Sequence, residues 1–176
     1  MTSLEKQPSF WQKNWVKNLL TFGLFITILL ILRPYMQGDV IQGKAPDLKL
    51  TSLSGQSIDL YKELAEGEPV LIHIWATWCP ICKFSRDSVE SLSEDHKVIS
   101  IVTQSGNSAE IQAYVQEHQL NPDHLFIDAD GKLMQLFGAK GVPADFIIDE
   151  EGNIDFVEVG FTTSLGLKLR LWMAAF

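Results

Sequence analysis

The chain has 176 residues, enough for one domain with an appendage, and 46% of them are hydrophobic, so it can bury a packed core. Its net charge of −8 is uneven: Lys6, Lys13, Lys17 and Arg33 against Glu5 give +3 on residues 1–35, which leaves −11 on residues 36–176. So acidic a domain argues against nucleic acid as a partner and against flat docking on anionic lipid; solubility is the simpler use of the charge.

In chain order, residues 1–14 read as a short cytoplasmic flank. Leu19 to Leu32 follow as fourteen residues without a charge. Extended over residues 15–35, the stretch reaches membrane-spanning length, with Lys17 snorkelling and Trp11, Trp15 and Tyr35 placed as interfacial anchors. The flank Arg33-Pro34-Tyr35-Met36-Gln37 is a poor cleavage site, which favours an uncleaved signal anchor over a cleaved signal or a buried soluble helix. The lysines before the span predict a single-pass protein with a cytoplasmic N-terminus and an exported C-terminal domain. Residues 36–46 read as a linker and 47–176 as the domain.

Within the domain, residues 47–53 and 57–60 read as a hairpin around Ser54-Gly55-Gln56, and residues 61–66 as one helical turn. Residues 69–76 form an apolar, β-branched run of the kind buried on both faces of a sheet. Residues 80–94 read as a helix with Ile81, Phe84, Ser88 and Leu92 along one stripe, Pro80 being tolerated in the first turn. Residues 98–102 read as a second buried strand. Asn107 with Glu110 forms a capping box for a helix whose inner face holds Ile111, Val115 and His118. A short strand at 125–128, a turn at Asp130-Gly131 and a short helix at 132–137 follow. A hairpin of 144–148 and 154–159 and a helix over 162–173 close the chain. Alternating strands and helices ending in a hairpin predict an α/β sandwich around a mixed sheet.

The two cysteines of the chain stand together in Trp75-Ala76-Thr77-Trp78-Cys79-Pro80-Ile81-Cys82. A Cys-x-x-Cys where a strand exits into a helix suits dithiol–disulfide chemistry. The helix N-terminus offers unpaired N–H groups and a positive dipole end, which favour the reactive thiolate. Cys79 is therefore assigned as the attacking sulfur. Cys82, one turn on, resolves the mixed disulfide, helped by the high effective concentration of a held thiol. A zinc half-site lacks further ligands at matching spacing among His73, His96, His118 and His124. A peroxidase arrangement lacks its threonine, Ala76 standing in that place.

These residues, together with Ala45-Pro46-Asp47, Ile58-Asp59-Leu60 and Gly141-Val142-Pro143-Ala144-Asp145-Phe146-Ile147-Ile148-Asp149 followed by Gly152, resemble the membrane-anchored, exported thioredoxin-like proteins of the TlpA/ResA type over about residues 44–172. The resemblance implies a thioredoxin-like three-layer α/β/α sandwich with a mixed sheet, preceded by one transmembrane helix. It implies a thiol–disulfide oxidoreductase whose only redox group is the Cys79–Cys82 disulfide, with no cofactor or metal. Protein thiols and disulfides are the implied substrates, with a membrane electron donor or acceptor. It also implies a cis Val142–Pro143 peptide lying against the cysteines, where the Val142 backbone is free to bond an extended substrate.

Three residues depart from the family pattern. His73 stands where thioredoxins bury an acid, Ser85 where envelope relatives often carry one, and Pro80-Ile81 fills the gap between the cysteines in an unusual order. Two roles fit His73: acceptor of the Cys82 proton, or a core histidine bonded to a backbone carbonyl. Trp75 and Trp78 read as packing and rim residues, and the other three histidines as solvated surface. The function expected is an anchored, extracytoplasmic oxidoreductase, acting as a reductant. The alternative is a non-enzymatic thiol module that binds copper or an assembly partner.

Overall fold

The structure, a computed structural model, describes residues 10–37 and 40–176; the side chains of residues 10–14, 29–30 and 32–37 lie outside what it describes. The chain divides into two compact units after Met36. The first holds α1 (Phe10–Gln37), 28 residues long. Its described apolar side chains, Leu20, Phe22 and Leu24 among them, are exposed. Among the described residues no helix is long and apolar enough to cross a membrane. Arg33, Pro34 and Tyr35, on which part of the expected span and its flank rest, have side chains outside the described residues, as has Trp11.

The second unit contains, in order, β1 (Gly43–Lys44), β2 (Lys49–Thr51), β3 (Ser57–Asp59), α2 (Leu60–Leu64), β4 (Val70–Trp75), α3 (Cys82–Leu92), β5 (Lys97–Thr103), α4 (Ser108–Glu117), a 3₁₀ turn (Pro122–His124), β6 (Leu125–Asp128), α5 (Lys132–Leu136), β7 (Ala144–Ile148), β8 (Asn153–Val159) and α6 (Ser164–Ala174). Six strands form one mixed sheet in the order β1-β8-β7-β4-β5-β6, and β2 pairs with β3 apart from it. β4, β5 and β6 run parallel, while β7 runs antiparallel to β4 and to β8. The parallel crossover through α3 and the closing hairpin are what the alternating apolar runs predict.

β4 is buried along its whole length, and its side chains alternate between two cores. Val70, Ile72 and Ile74 join Phe137, Phe146, Leu60 and Leu64 on one face. On the other, Leu71 packs with Val89 and Leu92 of α3 and with Leu167 and Leu171 of α6. Trp75, on that same face, packs with Cys79 and Cys82. Helix α4 carries the capping box at Asn107 and Glu110, and buries Ile111 and Val115.

Four expectations change. The segment read as a linker enters the domain: β1 pairs with β8, and the Ala45 N–H bonds the Gly152 carbonyl at 2.8 Å. Helix α3 begins at Cys82 and buries Cys82, Ser85, Val89 and Leu92, so the stripe lies one residue off the Ile81–Phe84 reading. His118 bonds the Tyr114 carbonyl at 2.9 Å and stacks on the Tyr114 ring. His124 lies 3.4 Å from Glu90 and, like His96 and His118, is half-buried rather than solvated.

Candidate active site

The end of β4 places the cysteines. After Trp75 the chain leaves the sheet. The Thr77 N–H then donates to Ser105 Oγ at 2.9 Å, and the Trp78 indole N–H to the Gln104 carbonyl at 2.9 Å. Both acceptors lie in the loop after β5, so the turn carrying Cys79 is tied to the neighbouring strand. Gln104 itself holds φ 45°, a left-handed conformation, with its N–H on the Asp128 carbonyl. Pro80 and Ile81 form a turn, and the helix starts at the second cysteine.

Cys79 and Cys82 form a disulfide with their Cα atoms 5.3 Å apart. Cys79 is the more accessible, at 5% exposure against 1%. The Cys82 N–H, the first of α3, points at Cys79 Sγ from 3.2 Å. In the dithiol form such a donor at a helix N-terminus stabilises a thiolate on Cys79. The other expected residues converge on the same sulfur. The Val142–Pro143 peptide is cis, and the Val142 carbonyl oxygen lies 3.6 Å from Cys79 Sγ. A disulfide sulfur has no hydrogen to donate, so this is a packing contact in the oxidised form and becomes a hydrogen bond only with the thiol.

Flanking the cysteines in sequence, Trp78, Ile81 and Phe84 are each at least half exposed, an apolar rim interrupted by the exposed Lys83. Trp75 lies behind them, fully buried, with its indole N–H on Ser100 Oγ at 2.8 Å and its ring against Tyr114. Trp75 is therefore a packing residue and Trp78 a rim residue.

His73 is buried beneath the site, and its partner is a side chain, not the backbone carbonyl of the simpler expectation. His73 Nδ1 lies 2.6 Å from Asp145 Oδ1, and both side chains are 1% exposed. Sequence reasoning missed Asp145. Its signal was an acid inside the apolar run Ala144-Asp145-Phe146-Ile147-Ile148, two residues after Pro143. Asp128, also buried, serves the fold rather than the site. It accepts the N–H groups of Leu133 and Met134, each at 3.0 Å, and the Thr103 hydroxyl at 2.8 Å. It thereby caps α5.

Exchange of electrons between a vicinal dithiol and an outside disulfide is the chemistry this geometry supports, and it stands on a thioredoxin-like fold: the protein is a thiol–disulfide oxidoreductase. Its sequence belongs to the AhpC/TSA family, whose model matches residues 41–157. A thioredoxin-like protein of Haemophilus influenzae is 28% identical over 168 residues, covering 93% of this chain and 97% of its own length. The thiol:disulfide interchange protein DsbE of Pseudomonas aeruginosa is 32% identical, with 81% and 83% coverage. The fold matches the crystal structure of StoA from Bacillus subtilis with a TM-score of 0.60 at 21% identity, over 70% of this chain and 95% of that one.

Proposed function

We propose that the protein is held in the cytoplasmic membrane by residues 15–35 and reduces disulfides of exported proteins with the Cys79–Cys82 dithiol. The observation that carries the chemistry is the Cys82 N–H at 3.2 Å from Cys79 Sγ, which supports Cys79 as the attacking sulfur. The Cys79 thiolate attacks a substrate disulfide and one substrate sulfur leaves. Cys82 then attacks Cys79 Sγ, the mixed disulfide breaks, and the reduced substrate departs as Cys79–Cys82 closes. The apolar rim of Trp78, Ile81 and Phe84 suits a protein segment better than a small hydrophilic disulfide. The Val142 carbonyl beside Cys79 can receive the backbone N–H of an extended substrate. Repeated turnover then requires an electron donor to reopen the disulfide, a role suited to a membrane partner of the anchored protein.

The anchor is supported by Lys6 and Lys13 ahead of residues 15–35. It is supported as well by the uncharged run Leu19 to Leu32. The direct experiment is to express Cys82→Ala in cells, separate membranes, and identify what is disulfide-linked to Cys79. Exported proteins on a membrane-bound trap, with wild-type cysteines reduced at steady state, are the expected result. A trap found free of the membrane overturns the anchor. Wild-type cysteines held as a disulfide, with substrates gaining disulfides, reverse the direction.

A further inference from the structure

One row of residues crosses the sheet on the face covered by α3 and α6. Glu158 of β8, Asp145 of β7, His73 of β4 and Ser100 of β5 are successive cross-strand partners, so their side chains leave the sheet on the same side. The outer end is neutralised, Arg170 of α6 donating to Glu158 at 2.6 Å. The inner end is occupied, Ser100 accepting from Trp75. Between them the His73–Asp145 pair is sealed from water, and two of its atoms, His73 Nε2 and Asp145 Oδ2, have no hydrogen-bond partner. A buried polar atom without a partner is costly, and two apolar side chains would fill the same space more cheaply.

The free nitrogen lies beneath α3. Leu71, two residues before His73 on the same face, packs with Val89 and Leu92; Trp75, two residues after, packs with Cys82. His73 therefore sits under the stretch of α3 between Cys82 and Val89, and Nε2 is at the tip of the ring, away from the β4 backbone. The α3 side chains buried there are Cys82 and Ser85, and the Ser85 hydroxyl is already committed to the Cys82 carbonyl at 3.1 Å. Among the described residues, the charged groups bonded along the row are Glu158, Arg170 and Asp145, and the titratable side chain buried on the overlying start of α3 is Cys82; Leu167 and Leu171 of α6, packed with Leu71, are apolar.

We propose that His73 accepts the proton of the Cys82 thiol during resolution, and that Asp145 is the positioning residue that holds the imidazole in the competent tautomer. This rests on the assignment of Cys79 as the attacking and Cys82 as the resolving sulfur. With Asp145 ionised, Nδ1 carries the hydrogen and donates it to Oδ1, which leaves Nε2 with its lone pair. As Cys82 attacks, its S–H proton passes to Nε2. The Cys79–Cys82 bond forms, the bond from Cys79 to the substrate sulfur breaks, and the substrate leaves as a thiolate. The imidazolium, paired with the Asp145 carboxylate, then returns the proton to that thiolate or to water. No outside oxidant or reductant enters this step. In reverse, Cys82 leaves as a thiolate and is protonated from His73.

The two steps separate when the reduced full-length protein in detergent meets an aryl disulfide whose released thiolate is coloured. The first equivalent reports attack by Cys79 and the second reports resolution by Cys82. His73→Asn keeps polarity and shape without a titrating nitrogen, and slows the second phase by about 10²-fold while the first keeps its rate. Asp145→Asn slows the second phase less and changes its pH profile, which a purely structural loss does not do. Wild-type second-phase rates and pH profiles in both variants overturn the proposal. Cys82→Ala must release one equivalent only; a second one overturns the sulfur assignment instead. Should the variants not fold, NMR of the wild-type ring nitrogens decides. Signals of His73 that differ across pH between dithiol and disulfide forms support the coupling, and identical ones overturn it.

Discussion

The two faces of the central sheet are built from the same strands and do different work. On one, Val70, Ile72, Ile74, Ile99, Ile101, Ala144, Phe146 and Ile148 meet Phe137 and the leucines of α2 in a largely apolar core, whose buried polar pair, Thr103 and Asp128, lies at the strand ends and is used in capping α5. On the other, the same strands put His73, Asp145 and Ser100 side by side, and the dithiol stands at the end of that face. Because side chains alternate along a strand, neighbours in sequence belong to opposite regimes: Asp145 and Phe146 are adjacent, one in the polar row and one in the apolar core. The difference teaches that polar groups on one side are fully satisfied and serve the fold, whereas on the other a buried pair keeps unpartnered atoms near the dithiol.

The sharpest way to break this division is to truncate the two neighbours separately. Phe146, fully buried with its ring 4.7 Å from Phe137, leaves a cavity when cut to alanine. The expected loss is about 3–5 kcal/mol in denaturant unfolding, with both phases of disulfide exchange unchanged at temperatures where the variant is folded. Asp145→Ala strands a buried imidazole and costs a similar amount, about 3–5 kcal/mol, but slows the resolving phase as well. Equal kinetic effects from the two variants would erase the division. The double variant His73→Leu with Asp145→Val sharpens it, since replacing both members by apolar groups is often neutral or stabilising. Stability returns close to wild type while resolution stays slow. Recovery of the rate together with the stability would make the pair a packing feature.

A smaller effect is expected at the rim. Phe84 is 72% exposed at the start of α3, so its truncation leaves the melting temperature almost unchanged. If the rim receives protein substrates, Phe84→Ala weakens exchange with a disulfide-containing protein by about tenfold, a typical anchor contribution, and leaves a small aryl disulfide unaffected. An equal loss on both substrates argues against a docking role.

Phe84 also shows where the sequence could be read and where it could not. The strand runs, the capping box and the dithiol are local patterns, and the structure contains them with shifts of a few residues at their ends. The phase of α3 is misread because Ile81 and Phe84 are apolar and look like core. The helix is set instead by Cys82, Ser85, Val89 and Leu92, and the leftover apolar residues face solvent beside the sulfurs. Functional surfaces break the binary pattern in this way. Asp145 was illegible for another reason. Its partner lies 72 residues away, and only the antiparallel register of β7 on β4 brings the two together. The strand Gly43–Lys44 has two residues, too few to carry any periodicity, and is defined by its pairing with β8.

The smallest effect belongs to the Glu90 carboxylate at the far end of α3. Glu90 accepts the Asn121 N–H at 2.9 Å and lies 3.4 Å from His124, tying the helix to the turn before β6. Partial burial works against its charge, but the bonds from His124 and Asn121 outweigh burial and hold the carboxyl below its ordinary value. A carboxylate depressed in the folded state contributes stability above its unfolded value and loses it as pH falls through the folded one. Glu90→Gln keeps an acceptor for Asn121 and removes the charge, so the expected cost is about 0.2–1 kcal/mol near neutral pH. Thermal melts across pH should show wild type and variant converging as the acid range of carboxylates is crossed. Exchange kinetics should not move, because Glu90 lies outside the row from Glu158 to Ser100. A gap in stability that persists in acid would mean that Glu90 acts by packing rather than by charge. A change in the resolving phase would extend the polar row beyond the strands that define it.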